Sequence, residues 1–270
     1  MSNIPLSERL LANVGKVIVP EDHLLKSLFP IVEDDLGSVG LNLRVSSDLD
    51  TFEEVCKSTG KFLPNAFQRS MAPLPDGDAI WFRVETFNGD LVATIAHRVY
   101  RLPHHTLGDW LTTGSLFYQS PITQMAEGER FYLGPEADAY ASSIRGTFIM
   151  AGGLWVSDAY KGRTNLARFL TQIGASFAYA RWNAAPIISI VEDEVMQKMS
   201  AKYRFTNNVD GVYWYRPHKP HRTKMWLLGK TRETIIADTR AYLDDAPYDR
   251  LWIGQPVVEA ERTAVTAGIR

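Results

Sequence analysis

The strongest pattern along the chain is a nearly continuous apolar run over residues 146–156, followed by an amphipathic segment over 165–182. Such a run is typical of a central strand that is buried on both faces. In the amphipathic segment, apolar residues recur at i, i+3 and i+4, which predicts a helix with one buried face. A second buried strand is predicted at 186–191 and another helix at 193–203. These segments together predict one strand–helix–strand crossover.

Antiparallel strand pairs are predicted on both sides of the crossover. Residues 79–87 and 91–102 predict a β-hairpin around the turn Asn88-Gly89, because both turn positions accept a positive φ. A last strand pair is predicted at 212–215 and 224–228. The chain is therefore expected to form a mixed α/β fold, with helices flanking the sheet.

The remaining segments complete this outline. Alternating polarity predicts a strand at 41–45, and residues 232–243 read as a helix. Thr51 and Glu54 form a capping-box pattern that predicts a helix running to about Phe62.

The chain divides by this pattern into an extension, a domain and a tail. In the extension, Pro20 and Pro30 are expected to bracket a helical piece. Residues 103–145 read as an insertion, with a helix near 107–118 and then a loop-like stretch. Its aromatic residues either line a substrate pocket or pack the insertion on the sheet. The predicted divisions are a helical N-terminal extension (1–40), the domain (41–230, insertion about 103–145), and a C-terminal helix and tail (231–270).

Composition narrows the class of protein. The 270 residues are 45% hydrophobic and carry a net charge of −2 with both signs mixed, which argues against nucleic-acid binding and a polybasic membrane anchor. The single cysteine, Cys56, excludes an internal disulfide and a cysteine-rich metal site. The first residues lack the pattern of a signal peptide, and the apolar stretches are shorter than the roughly 18 residues of a membrane span. We therefore expect a cytoplasmic protein that does not bind a membrane.

The segment that joins the central strand to its helix carries the most informative chemistry. Lys161, Gly162, Arg163 and Thr164 follow the strand directly and precede the helix. A glycine permits close backbone approach, and two cations and a helix N-terminus favour an anion. The pattern predicts a phosphate or pyrophosphate site, whereas the alternative is a strand–helix turn with two solvated cations.

Residues 146–205 resemble the core of the GCN5-related N-acetyltransferase (GNAT) superfamily. Leu154-Trp155-Val156 fits the strand end, and Tyr160 to Arg163 fits the start of the pyrophosphate loop, with Lys161 at the Gln/Arg position. Met199 to Phe205 fits the closing helix motif. The chain departs from the family pattern at Thr164, Leu166, Asp193 and Ser200.

The resemblance implies a GNAT-like, mostly antiparallel sheet and an acyl-CoA-dependent N-acyltransferase that uses acetyl-CoA or another acyl-CoA as donor. It implies a small-molecule or peptide amine as acceptor and, through pairing edge strands, a homodimer. The implied cofactor-binding residues are Leu154, Trp155, Val156, Lys161, Gly162, Arg163, Thr164, Asn165 and Leu166.

Candidate catalytic residues follow from the needs of acyl transfer, which are a base for the ammonium and an acid for the thiolate. Ser200 stands where the family often has its acid, and Tyr203 lies one turn later. His97, on the returning arm of the hairpin, suits a base, although a lone strand histidine is more often structural. Other candidate bases that the sequence does not rank are Glu85, Asp158 and Glu192.

His218 and His221 lie in a basic segment between the last two strands. Two histidines three residues apart can begin a metal site, but the segment has no cysteine or carboxylate and two prolines. We predict no metal and a cationic loop that helps hold the cofactor or an acidic acceptor.

The sequence is compatible with three functions. The first is an acetyl-CoA-dependent N-acetyltransferase. The second is an acyltransferase with a long-chain acyl or acyl-carrier-protein donor, motivated by Thr164, Leu166 and the insertion. The third is a non-catalytic binding module that keeps the fold, motivated by Ser200 and the missing motif glycines.

Overall fold

The computed structural model describes residues 9–15, 19–72, 74–162, 164–199, 203–244 and 251. Its helices are α1 (Leu10–Asn13), α2 (Asp22–Ser38), α3 (Leu49–Ser58), α4 (Leu107–Thr112), α5 (Pro121–Gln124), α6 (Pro135–Ser143), α7 (Leu166–Trp182), α8 (Asp193–Met199) and α9 (Arg232–Leu243). Its strands are β1 (Leu41–Ser46), β2 (Ala79–Thr86), β3 (Leu91–Thr106), β4 (Arg130–Leu133), β5 (Arg145–Val156), β6 (Ile187–Glu192), β7 (Asn207–Tyr215) and β8 (Thr223–Lys230).

Within the described residues, the strands form one eight-stranded sheet in the order β1-β2-β3-β5-β6-β8-β7-β4. Every neighbouring pair is antiparallel except β5 and β6, which are parallel and joined by the α7 crossover. The predicted mixed, mostly antiparallel sheet flanked by helices is therefore confirmed, together with the 79–102 hairpin and the crossover.

Alternating side chains of the sheet build two cores on opposite faces. On the first face, Phe82 and Ile149 pack with α1, α2, α7 and α9. On the second face, Trp81 and Phe148 pack with α3, α4, α6 and the segment around Phe67. None of the described helices has the combination of length and hydrophobicity that crossing a membrane requires.

Two predictions for the first 62 residues are wrong in detail. Pro30 lies inside α2 and does not end it, because apolar residues on both sides of it are buried on the same core. The cap of α3 is Asp48, which accepts the backbone N–H groups of Asp50 and Thr51 at 3.1 and 3.2 Å. The helix ends before Phe62, because Gly60 adopts φ +65° and turns the chain away.

Replacing Asp48 by alanine is expected to lower the free energy of unfolding by about 1 kcal/mol, because two N-terminal amides of α3 lose their acceptor. Urea denaturation measures this change. Asp50→Ala, in the first turn of the same helix and exposed, is the control and is expected to change stability by less than half as much. Equal effects of the two substitutions would contradict the assignment of the cap.

The insertion contains more regular structure than predicted. The helix that begins at Leu107 ends at Thr112 rather than near 118, and the expected loop contains α5, β4 and α6. β4 pairs with β7 and adds a strand to the sheet edge. Two insertion aromatics pack on each other and on the sheet: Phe131 stacks on Phe117 at 5.0 Å and on Trp214 at 5.4 Å between ring centroids. Tyr132, in contrast, is exposed.

Candidate active site

The two parallel strands at the centre of the sheet separate toward their carboxyl ends. β5 and β6 are in register only at Ile149 with Ile187 and at Met150 with Ile188. Ser189 Oγ then donates to the Ala151 carbonyl at 3.3 Å, where the strands begin to diverge. Beyond this point β5 stays paired with β3 and β6 with β8. The result is an opening between the ends of β5 and β6, lined on one side by the backbone of residues 152–156.

A bulge shapes the β5 side of this opening. Gly153 has φ +64°, and Thr94 Oγ1 donates to its carbonyl at 3.0 Å. A Cβ on Gly152 would lie 2.8 Å from Phe67 Cε2, and one on Gly153 would lie 2.6 Å from Phe52 Cζ. The two glycines therefore serve both a strand bulge and close aromatic packing. The rings above them belong to α3 and to residues 65–67, not to the insertion.

The loop after β5 leads directly into α7. Its first turn is closed by the Lys161 N–H, which donates to the Ser157 carbonyl at 3.0 Å. Gly162 has φ +72° with open space on its Cβ side, so the backbone is accessible there. Lys161 Nζ lies 2.5 Å from Asp158 Oδ1, and both side chains are more than half exposed. An exposed pair of this kind is weak, so an incoming anion can compete for the ammonium.

Thr164 and Leu166 do not face an incoming ligand in the way the sequence suggested. The Thr164 hydroxyl donates to the Tyr160 carbonyl and accepts the Leu166 N–H, both at 3.2 Å, so it holds the loop together. Leu166 is fully buried in the core beneath α7. Asn165 precedes the first turn of α7, whose initial N–H groups have no carbonyl partner within the helix.

The structure adds a second cation to this end of the sheet. Lys61, just after α3, is half-buried, and burial lowers the pKa of its ammonium. The nearby charge of Lys161 acts in the same direction, whereas Cys56 and Glu192 oppose it. Lys61, Lys161 and Glu192 therefore share one electrostatic environment at the opening. No local pattern in the sequence marks Lys61, because only the fold brings the end of α3 into electrostatic range of the distant end of β6.

Cys56 is a poor nucleophile in this environment. Its side chain is buried, and burial raises the pKa of the thiol from 9.0 to about 11. The thiolate, which is the reactive form, is therefore scarce at neutral pH.

His97 lies in the interior, on β3 opposite Ala151 of β5. Its imidazole is fully buried with no hydrogen-bond partner on either ring nitrogen. Burial lowers its pKa from 6.5 to about 3, so the ring is a weak base. We therefore assign it a packing role beneath α7 rather than the base predicted from the sequence.

The other catalytic candidates are distributed differently. Tyr203 lies outside α8 and is half-buried, and burial raises the pKa of its phenol. Ser200 and Arg163 lie outside the described residues. Glu85 pairs with Arg44 and Arg83 on the β1–β2 side of the sheet.

Glu192 is the candidate base that the structure places at the opening. It is the last residue of β6, is exposed, and lies within electrostatic range of Lys61. Asp158 is 93% exposed and already pairs with Lys161. Among the described residues, no three His, Cys, Asp or Glu side chains cluster as metal ligands would.

No protein-family model matches the sequence, and no curated protein does. Solved structures that it is similar to include Arabidopsis thaliana NAA60 in complex with acetyl-CoA, with a TM-score of 0.42 and 12% identity over 72% of this chain and 99% of that one. Vibrio cholerae spermidine N-acetyltransferase with CoA and spermine has a TM-score of 0.38 and 10% identity over 73% and 99% of the two chains. A Pseudomonas aeruginosa acyl-CoA N-acyltransferase has a TM-score of 0.38 and 11% identity over 71% and 99%. Similarity at this level describes shape and assigns no role to any residue.

Proposed function

We propose that the chain is an acyl-CoA-dependent N-acyltransferase that moves an acetyl group directly from the thioester to an amine. The observation that carries this proposal is the opening between β5 and β6, which continues through the Gly162 loop into the N-terminus of α7. The edge of β5 that does not pair with β6 suits the pantetheine arm of the donor, which is extended and contains amide groups. A helix N-terminus beside Lys161 suits the pyrophosphate at the end of that arm.

In this proposal the donor's pyrophosphate lies against residues 161–167. Gly162 lets the backbone approach it, and Lys161 leaves Asp158 to bind it. Lys61 supplies a second positive charge from the α3 side. The pantetheine arm runs beside residues 152–156, where β5 no longer pairs with β6.

The reaction needs a base, because an amine attacks the thioester carbonyl only after losing its ammonium proton. We assign this proton to the Glu192 carboxylate, directly or through a water. The new C–N bond forms as the C–S bond breaks, and the departing thiolate takes a proton from Tyr203 or Ser200. The second proton of the attacking nitrogen restores that hydroxyl, so the reaction yields a neutral amide and free CoA. Cys56 is buried and the pKa of its thiol is raised, which disfavours an acyl-enzyme on this residue and favours direct transfer.

The size of the donor's acyl group distinguishes an acetyltransferase from an acyltransferase with a long-chain or acyl-carrier-protein donor. A larger donor was expected from Leu166, Thr164 and the insertion, but the Leu166 side chain is buried in the core. Phe52 and Phe67, rather than the insertion, lie over the bulge of β5. Both observations favour the acetyl group over a long acyl chain.

Isothermal titration with acetyl-CoA tests the proposal. We expect one site with a Kd tighter than about 1 mM, weakened about tenfold or more by Lys161→Glu, because a charge-assisted contact becomes repulsive. Lys26→Glu is the matched control: Lys26 is 50% exposed against 56% for Lys161 and has an acidic partner at 2.6 Å. Its effect should stay within about twofold. A flat titration with the wild type, or equal losses in both variants, would overturn the donor site.

Turnover separates an enzyme from a non-catalytic module. We expect free CoA to be released when acetyl-CoA is mixed with an amine panel, and Glu192→Gln to lower kcat about a hundredfold without changing donor affinity. Donor binding with no release on any amine would support the module instead.

A further inference from the structure

The hairpin between β7 and β8 concentrates positive charge in a chain whose overall charge is −2. Residues 213–224 contain Arg216, Lys219, Arg222 and Lys224 and no acidic residue. The tip, residues 217–222, is exposed throughout. We call residues 213–224 together with Arg130 of β4 the basic hairpin.

The tip of the basic hairpin is held in one shape. The Lys219 N–H donates to the Arg216 carbonyl at 2.9 Å, which closes a turn with Pro217 at its second position. Arg216 Nη2 donates to Thr223 Oγ1 at 2.7 Å across the base of the turn. Because the backbone of the turn is already ordered, a partner does not have to order it on binding.

Aromatic rings on the same strands are covered by the hairpin's own cations. The Arg222 guanidinium lies 4.2 Å from the centroid of the Tyr213 ring, and Arg130 lies 4.8 Å from that of Tyr215. A covered ring is not free to stack on a nucleobase, whereas a guanidinium held over a ring still presents its N–H groups. The surface therefore lacks the free rings on which nucleobases stack, and it offers N–H donors to an anion such as a carboxylate.

Nearby carboxylates neutralise only part of this charge. Asp210 pairs with Lys224 at 2.7 Å, and Glu129 accepts from Trp214 Nε1 at 2.7 Å. Lys219 and Arg222 stay exposed at the tip, and no ion pair joins either of them to a described residue.

The strand register places the basic hairpin beside the proposed active site. Met225 of β8 pairs with Glu192, the last residue of β6. The hairpin therefore projects from the same end of the strands as the loop after β5. β6, β8 and β7 are successive neighbours, which separates Glu192 from the hairpin by roughly 5–10 Å across the sheet.

We infer that the basic hairpin binds an acidic polypeptide segment. The exposed cations, the ordered turn that carries them and the covered rings together fit a run of carboxylates. The hairpin's position means that an amine on the docked polypeptide would reach the opening between β5 and β6; this last step, unlike the binding, rests on the proposed function.

Fluorescence anisotropy with labelled peptides of about twelve residues tests the binding without any acyl donor. A Glu/Gly peptide should bind, a Gln/Gly or Lys/Gly peptide should bind at least about tenfold more weakly, and affinity should fall as salt rises. Lys219→Glu with Arg222→Glu should weaken binding of the Glu/Gly peptide at least about tenfold. The neutral pair Lys219→Gln with Arg222→Gln should lie between.

Lys26→Glu with Arg240→Glu is the matched control, since it changes the net charge equally on exposed helix positions of α2 and α9. Its effect should stay within about twofold. The inference is overturned if the Glu/Gly peptide does not bind, if the control weakens it as much as the hairpin variant does, or if a twelve-nucleotide RNA binds more tightly. Failure of acetyl-CoA to bind in the earlier titration would leave this result unaffected.

Discussion

Replacing Asp238 by alanine is expected to lower the free energy of unfolding by about 3–5 kcal/mol, because it leaves a buried ammonium without its counter-ion. Lys230 Nζ lies 2.5 Å from Asp238 Oδ2, and the two side chains are 2% and 4% exposed. Burial lowers the pKa of Lys230, while Asp238 opposes that change. Arg204 Nη1 contacts the other carboxylate oxygen at 3.3 Å. Asp238 thus joins α9 to the end of β8 and to the segment before β7.

Urea denaturation of Asp238→Ala measures this loss. The control is Arg240→Ala, an exposed position on the same helix, which should change the free energy of unfolding by less than about 0.5 kcal/mol. The double variant Lys230→Met with Asp238→Leu replaces both charges with apolar groups and should recover most of the stability. A loss below about 1 kcal/mol in Asp238→Ala would show that Lys230 finds another partner or water.

His97 is expected to make the protein about 2 kcal/mol less stable at about pH 5 than at neutral pH. Its pKa is about 3 in the folded chain against an ordinary value of 6.5. Between these values the unfolded chain binds more protons than the folded one, so stability is complete above pH 6.5 and falls as the pH drops toward 3. The cause is burial: a Cβ on Gly174 of α7 would lie 2.5 Å from His97 Cε1, and Phe82 packs edge-on against the ring.

The measurement is the change in unfolding free energy between about pH 7.5 and about pH 5 for the wild type and for His97→Leu. The variant should lose about 2 kcal/mol less over this interval, whatever its absolute stability. The carboxylates titrate in both proteins, so they cancel in the difference. Equal pH dependence would mean that water reaches the imidazole and that His97 titrates normally.

Local patterns were enough to predict the central elements. The apolar run of β5 and the Asn88-Gly89 turn depend on neighbouring residues, and both are found as predicted. α7 is a helix as predicted, but every residue from Phe169 to Ala180 is buried rather than one face of it, because the helix is covered by the sheet, α2 and α9. β4 was missed because its four residues give no periodic signal and it is a strand only by pairing with β7, more than 70 residues away. The start of α6 had a readable signal, since Pro135 at its first position is followed by acidic residues.

The sequence predicts only those residues of the candidate site that are close to each other along the chain. Lys161 and Gly162 are adjacent to the strand end and could be found from their spacing. Lys61 and Phe52 could not, because they meet β5 and β6 only through the packing of α3. His97 illustrates the opposite error: its residue type suggested chemistry, but the strand turns it toward the core.

The most direct test of the central claim, that an acyl-CoA donor lies along the end of β5 and on the N-terminus of α7, is amide hydrogen exchange with and without saturating acetyl-CoA. We expect exchange to slow at least about fivefold within residues 152–167 and to stay unchanged in α9 and at the tip of the basic hairpin. Unchanged exchange across 152–167, with slowing only elsewhere or not at all, would contradict it.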